Sequence, residues 1–145
     1  MVDGARLLPG SGPVLGWAMA KTRQEQAEAE LTAYGLTLPE TEVARGWAFT
    51  RNLRVRDRMF AIFGDKAQPP DELTFIVKLP VSLEMVQDLW FVRESRGWYR
   101  QHDWVITDFG AGDDVLGEMD TLKAWLRQSY VAQAPKALAR QVSGA

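Results

Sequence analysis

The stretch Arg96-Gly-Trp-Tyr-Arg-Gln-His-Asp-Trp-Val105, with the segment that follows it, decides the fold of this chain. Gly97–Arg100 and Trp104–Phe109 are rich in aromatic and β-branched residues, so they predict two strands joined by a turn at residues 101–103. From Val115 to Tyr130 apolar residues recur at helical spacing, which predicts a long helix with a wide apolar stripe. We expect this helix to cover one face of a sheet.

The chain before that stretch predicts a helix followed by strands. A helical pattern begins at Thr22, and Gly35 stands where a left-handed helix cap is expected. Four segments then carry the β-branched, aromatic or alternating patterns of strands: residues 43–49, 53–58, 59–63 and 73–77. Gly64, Pro69 and Pro70 lie between the last two segments, and this arrangement is typical of a hairpin with a long loop. We expect three antiparallel strands from this region.

A second, short helix is predicted between the two groups of strands. Pro80 ends the preceding strand, and Ser82 is a favourable N-cap. The apolar positions of this helix, which fall on one face, are Met85, Val86, Leu89 and Trp90. After the last helix, Pro135 ends or restarts the helical pattern, and residues 136–141 add one or two turns.

Length and composition indicate an ordinary globular protein. The chain has 145 residues, with 46% hydrophobic and 25% charged residues, so we expect one domain over residues 21–142. Residues 1–20 contain prolines and glycines without periodicity, and we expect a flexible tail there. No cysteine is present, which excludes disulfides, zinc-thiolate sites and thiol nucleophiles and fits a cytoplasmic location. No apolar run is long enough to span a membrane.

Several short motifs together resemble the MmcQ/YjbR family. They are Leu38-Pro39-Glu40-Thr41, Trp47, Phe60-Ala61, Lys78-Leu79, Trp104-Val105 and Ser129-Tyr130, in the expected order. The resemblance implies an α+β two-layer sandwich of α-β(3)-α-β(2)-α order, with an antiparallel sheet of about five strands covered by helices. Two positions depart from the family pattern: Arg58 replaces a frequent lysine, and Asp103 replaces glycine or histidine.

The resemblance also implies a function, since members of the family are described as DNA-binding proteins on the strength of their fold. The net charge of −2 is unfavourable for binding phosphates. Basic and aromatic residues nevertheless cluster locally, and we take as candidate nucleic-acid ligands Arg45, Arg51, Arg54, Arg56, Arg58, Arg93, Arg96, Trp98 and Arg100. On one strand Arg54, Arg56 and Arg58 would project together. The alternative is a charged strand edge that prevents aggregation.

No residue pattern indicates catalysis, a cofactor or a metal. His102 and Asp103 are neighbours without a motif partner, which favours a solvated turn histidine. The acidic cluster from Asp108 to Asp120 offers oxygen ligands for a divalent cation but lacks the spacing of a calcium loop, so helix capping and solvation explain it better. Tyr130 continues the apolar stripe of the last helix, which predicts a buried ring whose hydroxyl bonds a backbone carbonyl, while Ser129 is expected to bond the preceding turn.

A second functional hypothesis is a protein-interaction or chaperone-like module without catalysis. In that hypothesis another polypeptide binds the exposed sheet face or edge. It predicts an exposed apolar or aromatic patch and a dimer, whereas DNA binding predicts a contiguous arginine face and strong salt dependence. The sequence itself allows a monomer or a homodimer. Most of the tryptophans are expected in the core, with Trp98 as the exception because arginines surround it.

Overall fold

The structure is a computed structural model that describes residues 21–46, 49–64 and 67–142. In chain order the elements are α1 (Arg23–Gly35), β1 (Thr41–Arg45), β2 (Arg51–Val55), β3 (Arg58–Phe63), β4 (Leu73–Lys78), β5 (Val92–Arg93), α2 (Gly97–Gln101), β6 (Trp104–Phe109), a 3-10 turn (Leu116–Glu118), α3 (Met119–Gln133) and α4 (Lys136–Val142). The α+β class and the antiparallel sheet are therefore confirmed. The predicted tail at residues 1–20 and the motif residue Trp47 lie outside the described residues.

The sheet has six strands in the order β1-β2-β3-β4-β6-β5 within the described ranges. Four of them precede residue 80, so the expected three strands there, and about five in all, were too few. All neighbouring strands are antiparallel. One face packs against α1 and α3, with Leu31, Leu122 and Leu126 fully buried in the same cluster as the sheet residues Phe75 and Val77. We call the opposite side of the sheet the second face. It carries a smaller apolar cluster of Ile62, Ile76, Trp104 and Ile106, with Met59 and Tyr99 packed against it.

A β-bulge in β3 explains how adjacent residues there both reach the core. Leu53 pairs with Ala61 but Arg54 pairs with Met59, so Phe60 is the extra residue. Phe60 and Ala61 both lie in the large core cluster. The β3–β4 pairing then ends at Ala61 and Val77.

Beyond Ala61 and Val77 the two strands no longer bond to each other directly, and Ser129 of α3 bridges them instead. Its hydroxyl accepts from the Lys78 N–H at 2.8 Å and donates to the Phe60 carbonyl at 2.5 Å. These two backbone groups would have been the next partners in the ladder. The expectation that Ser129 bonds the preceding turn was wrong, because the serine bonds two strands instead.

The prediction for Tyr130, a buried ring whose hydroxyl bonds a backbone carbonyl, is confirmed. The ring is inaccessible to solvent, meets Phe60 edge-to-face at 5.3 Å, and its hydroxyl donates to the Pro39 carbonyl at 2.7 Å. Burial raises the pKa of the Tyr130 phenol above its ordinary value of 10.0, and nearby Glu40 adds to this effect. The side chain therefore ties α3 to the segment that enters β1.

Two predicted elements were wrong. Residues 80–91 form successive turns rather than an α-helix. Of the predicted apolar face only Val86 is buried, whereas Met85, Leu89 and Trp90 are exposed. Leu83, which the prediction left out, is buried instead. Gly97–Gln101 is a short helix rather than a strand. It begins at a glycine with φ +56°, and the sheet edge is formed by β5 instead.

Gly35 is the last residue of α1 and not a left-handed cap. A Cβ atom added at this position would lie 2.6 Å from Cδ1 of Leu53 and 3.6 Å from Cδ2 of Leu126. The glycine therefore permits close packing of α1 on β2. The N-terminal end of α1 follows the sequence closely, since Thr22 and Glu25 form a reciprocal capping box.

Candidate functional site

The three arginines of the predicted row do not project together. Arg54 lies in β2, between Leu53 and Val55, whose side chains enter the main core, so Arg54 is on the second face. Arg56 is in the turn after β2, with φ +56°, and Arg58 begins β3. The strand ends too early for the predicted geometry, which was wrong. Whether these residues bind nucleic acid stays a prediction.

Two arginines of this hairpin region are held by carboxylates. Arg51 forms a forked pair with Glu28 of α1, at 2.7 and 2.5 Å. Arg56 forms a similar pair with Glu40, at 2.8 and 3.1 Å. The hydrogen bond from Arg56 holds the pKa of the Glu40 carboxyl below its ordinary value of 4.5. These guanidinium groups are committed to intramolecular partners.

The second group of basic candidates is paired in the same way. Arg93 of β5 binds both carboxylate oxygens of Asp108, at 2.7 and 2.8 Å. Arg100 donates to both oxygens of Glu84 at 2.8 Å. Arg96 lies 3.0 Å from Glu94 in a highly exposed pair, which contributes little to stability.

Three candidates, Arg45, Arg54 and Arg58, have no carboxylate partner in the described ranges. Arg45 is opposite Arg51 at one end of the β1–β2 ladder, while Arg58 of β3 pairs with Val55 at the other end. Along the strand direction the two arginines are therefore roughly 14 Å apart, at about 3.4 Å per residue. Arg54 faces the opposite side from both, and its Nε is buried without an acceptor. The three charges therefore do not form one basic face.

Trp98 is exposed, as the sequence suggested, but its ring already has a partner. It lies on α2 with 58% of its surface accessible, and it stacks on His102 with ring centroids 4.5 Å apart. His102 Nδ1 is 2.9 Å from the Trp98 carbonyl oxygen. The histidine is exposed, as predicted, and its ring is engaged with its own helix rather than with an acid. Of the other described tryptophans, Trp104 and Trp125 are buried and Trp90 is exposed.

The acidic residues cap turns and pair with arginine. Asp113 accepts from the Gly110 N–H at 2.7 Å, and Asp114 accepts from the Gly117 N–H at 3.1 Å. Asp108 binds Arg93 and also accepts from the buried Thr74 hydroxyl at 2.8 Å. In the described part of the chain no group of three or more potential ligands could hold a metal ion.

The feature that sequence reasoning did not locate is the open edge of β1. The Gly46 N–H donates to Thr50 and the Arg56 N–H donates to Glu40, so even-numbered residues of β1 hydrogen-bond to β2. In an antiparallel pair the intervening residues direct both backbone groups away from the partner. Thr41, Val43 and Arg45 therefore present three N–H and three C=O groups outward. No described strand pairs with this side of β1.

An apolar groove of about 1160 Å³ lies between this edge and α1. Leu36, Val43 and Phe49 line it and are exposed by 46%, 50% and 60% of their surfaces. Small residues of α1, Ala29 and Ala33, line the helix side of the groove. We call the outward side of β1 together with this groove the β1 edge.

The end of the groove near the start of α1 is more polar. Its lining there includes Gln24, Glu25 and Glu72. Gln24 donates to the Gly110 carbonyl at 2.9 Å, and Glu25 accepts from Thr22 in the capping box. Arg45, the last residue of β1, also lines the groove. The β1 edge thus combines unpaired backbone groups, three exposed apolar side chains and charged margins.

Comparison with known proteins gives no family for this chain, because no protein-family model and no curated protein matches it. No helix in the described ranges is both long enough and apolar enough to cross a bilayer.

Proposed function

We propose that this chain is a non-enzymatic protein-interaction module that binds an extended polypeptide along the β1 edge. The observation that carries the proposal is the row of outward N–H and C=O groups at Thr41, Val43 and Arg45. Addition of a strand to an open sheet edge is a general way of recognising peptides, with main-chain bonds giving affinity and neighbouring pockets giving selectivity. We also propose that the domain is a two-layer sandwich of the MmcQ/YjbR type, which its antiparallel sheet and covering helices support.

The two edges of the sheet differ in a way that favours β1. The other edge strand, β5, has only two residues, and short edges are a common protection against strand addition. β1 has five residues and contains no proline. Exposed apolar side chains beside it, Leu36 and Phe49, would cover side chains of the bound strand. An open edge beside an apolar groove is the geometry that strand addition requires.

The test uses peptides of about seven residues, enough to span β1, selected from a random displayed library on the immobilised protein. Selected peptides are then titrated against the wild type, Val43→Pro and Val43→Thr. The Val43 N–H points away from β2, so proline removes an outward donor without breaking the β1–β2 ladder. Threonine keeps the backbone donor and the β-branched shape, so it is the matched control.

We expect selected peptides to bind the wild type and Val43→Thr with similar affinity, and to lose roughly tenfold or more in affinity for Val43→Pro. Circular dichroism and thermal unfolding establish that the variants are folded. Peptides that bind Val43→Pro as well as the wild type, or a library that yields no binder, would overturn the proposal.

DNA binding is the second candidate. The observation in its favour is the exposed indole of Trp98 on a helix that also carries Arg100. The test is fluorescence anisotropy of a labelled duplex and a labelled single strand at low and moderate salt, with a triple Arg45, Arg54, Arg58→Ala variant and a separate Trp98→Ala variant. Micromolar, salt-dependent binding that either variant weakens supports this candidate. Absence of binding at low salt refutes it.

A further inference from the structure

We infer that the polypeptide bound at the β1 edge is β1 of a second copy of this chain, giving a two-fold symmetric dimer with a continuous sheet. The inference rests on the proposed function, since it names the partner of the same site. It is carried by the match of the β1 edge to itself in hydrogen bonding, charge and apolar contacts. The hydrogen bonds and charges follow from the register of the β1–β2 hairpin, and the apolar contacts follow from the residues that line the groove.

The hydrogen-bond pattern selects one antiparallel register. With the two-fold axis at Val43, Val43 pairs with its own copy and Thr41 pairs with Arg45 of the other copy. All of these residues direct their backbone groups outward, and each such pair exchanges two bonds, so the interface has six hydrogen bonds. A shift by one step in either direction leaves only four. The centred register is therefore the one that satisfies the whole edge.

Charge disfavours one of the two shifted registers. In the centred register Glu42 lies opposite Ala44 of the second copy, and Arg45 lies opposite Thr41, so no like charges are directly opposed. A shift toward Thr41 would place Glu42 opposite Glu42, which is unfavourable for cross-strand neighbours.

The exposed apolar side chains are also arranged to match across the axis. Leu36 and Phe49 line the same groove, Leu36 near the Thr41 end of β1 and Phe49 near the Arg45 end. The two-fold axis reverses the strand, so Leu36 of one copy meets the end that carries Phe49 of the other. Val43 meets Val43 at the centre. Three of the exposed large apolar side chains thereby acquire apolar neighbours.

Disulfide cross-linking tests the register directly, because the natural chain has no cysteine. In the centred register the two Val43 Cα atoms are about 5.5 Å apart, within the disulfide range of about 4.4–6.8 Å. Val43→Cys should therefore form a covalent dimer on mild oxidation. A mixture of Thr41→Cys and Arg45→Cys should cross-link as well, whereas Thr41→Cys alone should not. Val81→Cys, at a more exposed position outside the β1 edge, is the control.

Sedimentation equilibrium tests association without cross-links. The wild type should shift from 16.3 kDa toward twice that mass as its concentration rises. Val43→Pro should remain monomeric, and Val43→Thr should dimerise like the wild type. Val43→Lys, which places a charge at the centre of the interface, gives a second disruptive variant if proline impairs folding.

The inference is overturned if the wild type remains monomeric at high micromolar concentration, or if Val43→Cys cross-links no faster than Val81→Cys. Its failure is distinguishable from failure of the proposed function. A monomeric protein whose selected peptides lose affinity with Val43→Pro retains the β1 edge as a binding site for another polypeptide. A monomer without such peptides loses both.

Discussion

Replacement of Ser129 by alanine tests whether a single hydroxyl joins β3 to β4. The hydroxyl accepts from the Lys78 N–H and donates to the Phe60 carbonyl, and the side chain is fully buried. Alanine leaves a buried donor without a partner, which costs about 1–3 kcal/mol, and removes a second hydrogen bond with a net value of about 1 kcal/mol. We expect the free energy of unfolding to fall by about 2–4 kcal/mol.

Thr107→Val is the matched control for that variant. The buried Thr107 hydroxyl donates to the Phe75 carbonyl at 2.8 Å, but the same carbonyl also faces the Thr107 N–H in the β4–β6 ladder. Removal of the hydroxyl therefore leaves no backbone group unpaired, and we expect a loss below about 1 kcal/mol. Urea unfolding followed by tryptophan fluorescence measures both variants. Equal losses, or a loss below about 1 kcal/mol for Ser129→Ala, would refute the role assigned to the serine.

Three further predictions use the same unfolding assay. Gly35→Ala should destabilise the protein by about 1–2 kcal/mol although alanine favours helix, because its Cβ would overlap Leu53; a gain in stability would contradict this packing. Tyr130→Phe should cost about 1 kcal/mol at pH 8 through loss of the hydrogen bond to the Pro39 carbonyl. The difference in stability from the wild type should shrink above pH 10, because the pKa of Tyr130 is raised in the folded state and the wild type loses stability as pH rises past the ordinary value of 10.0. A difference that grows with pH would contradict the burial of this phenol. Arg54→Met should leave stability unchanged or raise it by up to about 1 kcal/mol, because it removes a buried Nε without an acceptor; a loss above 1 kcal/mol would show that the guanidinium has a stabilising partner.

The sequence predicted those parts of the fold in which local pattern and tertiary structure agree. The apolar runs of β3, β4 and β6 are buried on both faces and read as strands. The long apolar stripe before Tyr130 predicted α3 and the burial of its ring. Short aromatic segments were less informative, because five residues such as Gly97–Gln101 fit a strand or a helical turn equally well.

The candidate site depended on information that is not local. The partners of Arg51, Arg56 and Arg93 lie 15 or more residues away along the chain, so sequence neighbours could not reveal that these charges are paired. The i, i+2 spacing of Arg54 and Arg56 predicted one row, but the strand ends at Val55.

The open side of β1 was equally hidden. Which residues point outward depends on the register of the hairpin with β2, and a change of register by one residue would reverse the assignment. A general expectation of an exposed sheet edge was possible from the sequence. The identity of that edge required the tertiary structure.

Amide hydrogen exchange along β1 shows whether its outward backbone groups bind another strand. Exchange is measured residue by residue by NMR, with dilute protein, with concentrated protein and with a saturating selected peptide. We expect the Thr41, Val43 and Arg45 amides to exchange rapidly in dilute protein and to become protected on binding, whereas Glu42 and Ala44, already bonded to β2, should change little. Protection that appears at all five residues alike, or only in another segment such as residues 80–91, would contradict binding at the β1 edge.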